Sequence, residues 1–182
     1  MTRYPDFRLM TANKQQGAVL IVSLIMLLIM TIIGLSAMQS TTLEEKMAGN
    51  YRNSNIAFQA AEDALRDSEK DIACNTTSCT SRTAPISGLT NFDASCTNGL
   101  CAGWMPSIWT DTAKIGHAIN YGAKTGAAAI AGVSSPPQYL IEGKKCIGPG
   151  WASWKNCYRI TTIGYGGTQK AQRLLQEVFI LP

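Results

Sequence analysis

The chain has 182 residues, enough for one small domain and a long helix, and its formal net charge is only +4. Half of that excess lies within residues 1–17, where Arg3, Arg8 and Lys14 face a single acid, Asp6. What remains is too small and too scattered for a nucleic-acid-binding surface.

Residues 1–17 are polar, contain Pro5 and show no period. They read as a basic leader or as a disordered tail. From Lys14 to Glu44 no side chain is charged, and residues 18–37 read AVLIVSLIMLLIMTIIGLSA, interrupted only by Ser23, Thr31, Gly34 and Ser36. That is the length of about 20 residues that a helix needs to cross a bilayer core. Three readings of the segment compete. A cleavable secretory signal would be cut near Gly34-Leu35-Ser36, although the run exceeds the usual apolar core of about 7–15 residues. A plain signal-anchor fits the length. A prepilin-type leader would be cut before the run, after Gly17, leaving the apolar helix on the mature protein. In each case the basic residues precede the run and the first charges after it are Glu44, Glu45 and Lys46, so the N-terminus is expected in the cytoplasm and the body is exported.

The helical pattern does not stop at the end of the apolar run. Leu43, Met47, Tyr51, Ser54, Phe58, Ala61, Leu65, Ser68 and Ile72 recur at steps of four and three, which predicts an amphipathic helix over 39–72. Its second half is expected to dock on the globular domain through Phe58, Ala61 and Leu65. Glu62 and Arg66 form an i,i+4 pair of favourable orientation. Gly49-Asn50 is the weak point, because glycine costs about 1 kcal/mol against alanine inside a helix; a bend or local melting is expected there.

Six cysteines follow, as Cys74-x4-Cys79, Cys96-x4-Cys101 and Cys146-x10-Cys157. An even count beyond an export signal predicts disulfides. Zinc would need tighter spacing and further ligands, and the only histidine is His117. Spacing leaves the connectivity open, with local pairs the preferred guess. Residues 74–137 are rich in Ser, Thr, Asn, Gly and Ala. Within them Trp104 and Trp109 are expected to anchor a small core and residues 110–118 to form one short helix, while 126–131 could be helix or loop. From Tyr139 the pattern turns to strands: a short one at 139–142, a β-branched and aromatic one at 157–163, and one within 171–181. Gly164-Tyr165-Gly166-Gly167 between the last two predicts a turn with positive φ. The expectation is an antiparallel sheet of at least three strands, with its apolar face on the amphipathic helix. Trp151 and Trp154 lie inside the loop bounded by Cys146 and Cys157.

The block Leu43-Glu44-Glu45-Lys46-Met47-Ala48-Gly49-Asn50-Tyr51-Arg52-Asn53, followed by Ala57-Phe58-Gln59-Ala60-Ala61-Glu62-Asp63-Ala64-Leu65-Arg66 and preceded by Gln16-Gly17-Ala18-Val19-Leu20-Ile21, resembles the N-terminal signature of PilX-type minor pilins of type IV pili. The strands at 139–142 and 157–161 with the glycine-rich turn resemble the family's C-terminal end less distinctively. The resemblance implies an α+β, type IV pilin-like fold, in which a long N-terminal helix is packed by its second half on a C-terminal antiparallel sheet. It divides the chain into a leader (1–17), a transmembrane or fibre-core helix (18–38), an amphipathic helix (39–72) and a periplasmic disulfide-containing head (73–182). It implies cleavage after Gly17 by prepilin peptidase, methylation of the new amine of Ala18, and partnership with other minor pilins and the major pilin. The chain would reside first in the inner membrane and then in the extracellular pilus. No cofactor or metal is implied. Major pilins carry a glutamate at the fifth mature position, where this chain has Val22, and with Glu44 and Glu45 this residue is expected to bear on assembly.

Other functions are weighed against that reading. A type II secretion pseudopilin shares the leader and helix. A tip adhesin would use Trp104, Trp109, Trp151 and Trp154 to stack on a surface ligand, against the commoner fate of tryptophan in a core. An enzyme is disfavoured: His117 has no nucleophile motif nearby, Asp93, Asp111, Glu142 and Glu177 are scattered, and no phosphate-binding loop precedes a helix.

Overall fold

In a computed structural model, residues 17–74, 86, 88–106 and 108–180 are described. The chain divides into two compact units, Met1–Met47 and Ala48–Pro182. One helix, α1 (Ala18–Ala73), contributes to both. Its 56 residues include Gly49, which does not interrupt it. The expected weak point therefore keeps its helical conformation.

In the first unit every described side chain is exposed. In the second, α1 buries Ala57, Ala60, Ala61, Ala64, Asp67, Ser68, Asp71 and Ile72. This stripe keeps Ala61, Ser68 and Ile72 of the expected one but is rotated away from Phe58 and Leu65. Phe58 is 45% exposed and Leu65 only partly covered, so the docking face is made of alanines rather than of the larger apolar residues. The reason is the short distance between helix and sheet, which large side chains would not permit.

The sheet is formed by β1 (Leu100–Ala102), β2 (Ile119–Asn120), β3 (Gln138–Cys146), β4 (Lys155–Tyr165) and β5 (Gln172–Ile180). Its order is β1-β3-β4-β5, with β2 also pairing β3. β3, β4 and β5 form the expected antiparallel array, with Tyr139 opposite Thr162 and Ile163 opposite Leu174. β1 departs from it by running parallel to β3, Leu100 opposite Ile141. β3 is longer than the four residues expected, because its continuation through Gly143, Lys144 and Lys145 is held by β4 rather than by local β propensity. Within 110–118 only Thr112–Ile115 is α-helical (α2), capped by the Asp111 carboxylate, which accepts from the Ala113 amide at 3.2 Å. Residues 126–130 form neither helix nor strand.

Two cores cover the two faces of β3. On the α1 side, Ile72, Ile86, Phe92, Leu100, Ile119, Tyr139, Ile141, Tyr158 and Ile160 pack together, flanked by Leu89 and Phe179. On the other side, Leu140 meets Ile108, Cys96 and Cys101, with Met105, Trp109 and Ala118 around them. Double coverage explains why Tyr139, Leu140, Ile141, Glu142 and Gly143 are buried in succession instead of alternately.

The glycines at the end of β4 and just after it work differently from the sequence expectation. None of Gly164, Gly166 and Gly167 has a positive φ. Gly164 is instead a contact point: a Cβ there would overlap the Ala57 carbonyl oxygen and the Ala61 amide, and one on Gly166 would meet the Asn53 carbonyl. The missing side chains let β4 lie directly on α1.

Candidate functional site

Two regions carry chemistry that the core does not consume. The first is the start of α1. Gly17 precedes the helix and Ala18 opens it, both exposed. Val19, Leu20, Ile21, Val22, Leu24 and Ile25 begin a series of exposed apolar side chains, broken only by Ser23, Thr31, Gly34 and Ser36, that runs to Met38. Ser23 and Thr31 turn their hydroxyls back onto the Leu20 and Leu28 carbonyls, at 2.9 and 2.8 Å, so these two hydroxyls are satisfied within the helix. The segment is long and apolar enough to cross a membrane, and none of it is buried within the protein. Val22, within this run, is an exposed apolar side chain. Glu44 and Glu45 are exposed on α1.

The second region is the head, where α1 contributes two buried acids that the sequence pattern did not single out. The Asp67 carboxylate accepts from the Gly122 amide at 2.8 Å and from the Thr125 hydroxyl. Asp71 accepts from the Tyr139 hydroxyl at 3.0 Å. Both are buried, and each anchors a segment remote in sequence to the helix. A signal existed: Asp63, Asp67 and Asp71 recur every four residues beside the alanine stripe, placing acids on one face of α1.

On the opposite face of the sheet, Arg159 forms a two-pronged ion pair with the fully buried Glu142, Nε to Oε2 at 2.7 Å and Nη2 to Oε1 at 2.6 Å. Arg159 Nη2 also donates to the Met105 carbonyl, and the Met105 amide donates to Glu142 Oε1 at 2.6 Å. Lys144 Nζ lies 3.8 Å from the Trp104 ring centre. This network clamps the segment before α2 onto the sheet, so Glu142 is spent on structure. Between α1 and β5, burial pushes the Glu177 carboxyl up to about 7, helped by the neighbouring Glu69 with which it shares a hydrogen bond. Hydrogen bonds from Thr97 and Ser95 hold the half-buried Asp93 carboxyl down to about 2.

Of the cysteines, Cys96 and Cys101 are bridged, with Cα atoms 4.1 Å apart, and Cys146 is bridged to Cys157 at 5.9 Å. Cys74 is also disulfide-bonded. Cys79 lies outside the described residues. Among the described residues no cysteine is free, and no group of three or more His, Cys, Asp or Glu side chains could hold a metal ion. His117 is exposed after α2. The tryptophans divide: Trp104, Trp109 and Trp151 are half-buried, whereas Trp154 is 62% exposed, so the expectation of a core role fails for Trp154.

Two family models match the chain. One, described as PilX N-terminal, matches residues 16–66. The other, described as the type IV pilus assembly protein PilX C-terminal region, matches residues 57–181. No curated relative and no solved structure matches.

Proposed function

Because the chain belongs to the PilX family of type IV pilus assembly proteins, we propose that it is a minor pilin that enters the fibre early, primes its growth with other minor pilins and remains at the distal tip. The assembly role is carried by one observation: the apolar side chains of α1 up to Met38 are exposed on every side of the helix. Such a surface requires an apolar medium. Lipid supplies it before assembly, and the helices of neighbouring subunits supply it afterwards, with Gly34, Ser36 and Ala37 permitting close approach. The long apolar helix fits a membrane-anchored pilin.

In this reading prepilin peptidase cuts after Gly17 and the amine of Ala18 is methylated, while the head stays on the periplasmic side until the subunit is extracted. The tip assignment follows from Val22. A charged N-terminal amine in an apolar fibre core needs a counter-charge, which in major pilins comes from the glutamate of the following subunit. A subunit with Val22 cannot neutralise the amine ahead of it, and an unpaired buried charge is strongly unfavourable. A leading subunit has no amine ahead of it. Glu44 and Glu45 are then the first charges beyond the apolar run that neighbouring subunits meet.

The test uses sheared surface fibres. Immunogold against the head should mark fibre ends, mass spectrometry should find a methylated Ala18 as the first residue, and Val22→Glu should move part of the label onto shafts. Dense labelling along wild-type shafts, or a mature chain beginning at Ala37, refutes the proposal.

A further inference from the structure

β3 and β4 are joined by residues 147–154, and the Cys146–Cys157 bridge closes this connection at its base. The loop is therefore held as a projection from the paired strand ends. Its apolar side chains are not folded inward. Ile147 is 54% exposed and Trp154 62% exposed. Trp151 is half-buried beside Gly148, where an added Cβ would come within 3.0 Å of the ring, and Lys155 Nζ lies 5.5 Å from its centre.

The charges around these side chains have one sign. Residues 143–158 contain Lys144, Lys145 and Lys155 and no acid. Lys145 and Lys155 are exposed. The polar side chains that a sugar site would need beside an indole face are scarce, Ser153 being the one supplied by residues 147–154. Indole rings, a large aliphatic tip and flanking lysines are the composition that settles at a negatively charged lipid interface.

β4 runs for 11 residues from Lys155 to Tyr165, so its ends are about 33 Å apart. At the Tyr165 end, Gly166 packs on Asn53 of α1. The 147–154 loop is at the other end of the sheet. We infer that this disulfide-closed loop docks on an anionic bilayer. Trp154 and Ile147 enter the interface, and Lys145 and Lys155 meet the lipid phosphates. The inference does not depend on assembly into a fibre.

The test takes the full chain in nanodiscs of phosphatidylcholine, so that α1 is already in lipid, and measures co-flotation with separate vesicles. Vesicles containing phosphatidylglycerol should bind, and pure phosphatidylcholine vesicles should bind at least about tenfold more weakly, since each lysine at an anionic surface contributes about fivefold. Trp154→Ser should weaken binding to the anionic vesicles about tenfold, from the lost apolar contact, with an unchanged melting temperature. Lys145→Ala with Lys155→Ala should abolish the lipid preference. Gln172→Ala, at the far end of the sheet, should bind as the parent does. Equal binding to both vesicle types, full binding by Trp154→Ser, loss of binding in Gln172→Ala, or capture by soluble polysaccharide in place of anionic vesicles would each overturn the proposal.

Discussion

Replacing Gly164 by alanine tests the claim that this glycine is present for proximity and not for its backbone angle. The added Cβ would fall on the Ala57 carbonyl oxygen and the Ala61 amide, and 2.9 Å from the Ala61 Cα. All three are backbone atoms, so no side chain can rotate away. Restoring ordinary contact requires the helix and strand to part locally by about 1 Å, and overpacking of this kind costs about 1–3 kcal/mol. The Thr162 hydroxyl, which donates to the Ala61 carbonyl at 3.0 Å, would be pulled from its acceptor, adding about 1 kcal/mol. Alanine returns about 0.5 kcal/mol by restricting the unfolded chain. The net loss is about 1.5–3.5 kcal/mol, or roughly 5–15 °C in melting temperature for a head of this size. Gly49 is the control: nothing lies within 4 Å of an added Cβ and the residue is inside α1, so Gly49→Ala should stabilise by up to about 1 kcal/mol. Thermal unfolding of the oxidised full chain in detergent, followed by near-ultraviolet circular dichroism, reads both variants. If Gly164→Ala melts with the parent, the close-approach argument is refuted.

Glu177 gives the head a pH dependence. Its carboxyl is raised to about 7 by burial and by Glu69, so between about pH 4.5 and 7 the folded state holds a proton that the unfolded state has released, and stability falls as pH rises. Glu177→Gln should therefore match the parent at pH 4 and exceed it by about 1–2 kcal/mol at pH 8, solvent screening having reduced the full value; denaturation curves at the two pH values check this, and equal curves at pH 8 would refute it. Phe58→Asp should fold with a melting temperature near that of the parent, since the side chain is 45% exposed and surface changes are usually within about 0.5 kcal/mol. If the exposed face with Tyr51 and Phe58 meets neighbouring subunits, the same variant should be lost from sheared fibres, whereas a collapse of the melting transition would show that Phe58 supports the head itself.

The sequence alone determined the elements whose signals are local. An uncharged stretch of bilayer length, followed without a break by a helical period, is readable because each residue's contribution depends on its own polarity and spacing. The β-branched strand and its glycine-rich exit were legible for the same reason, as was the family signature from Leu43 to Arg66. What the sequence misjudged were choices made between segments. The period over 39–72 allowed more than one face of α1 to turn inward. The close approach of β4 at Gly164 and Gly166 selected the face of small residues, leaving Phe58 outside. Asp67 and Asp71 look solvent-facing on a helical wheel, yet they are buried because Gly122, Thr125 and Tyr139, some fifty to seventy residues away in the chain, bring the donors that a buried carboxylate requires. The glycine cluster was seen but its reason was not, since φ and empty space are indistinguishable in a string of letters. Trp154 likewise has the composition of a core residue, and only the closure of β3 and β4 beneath it turns it to solvent. Local chemistry specified which elements form; the partner that each element met in space decided which of its faces was buried.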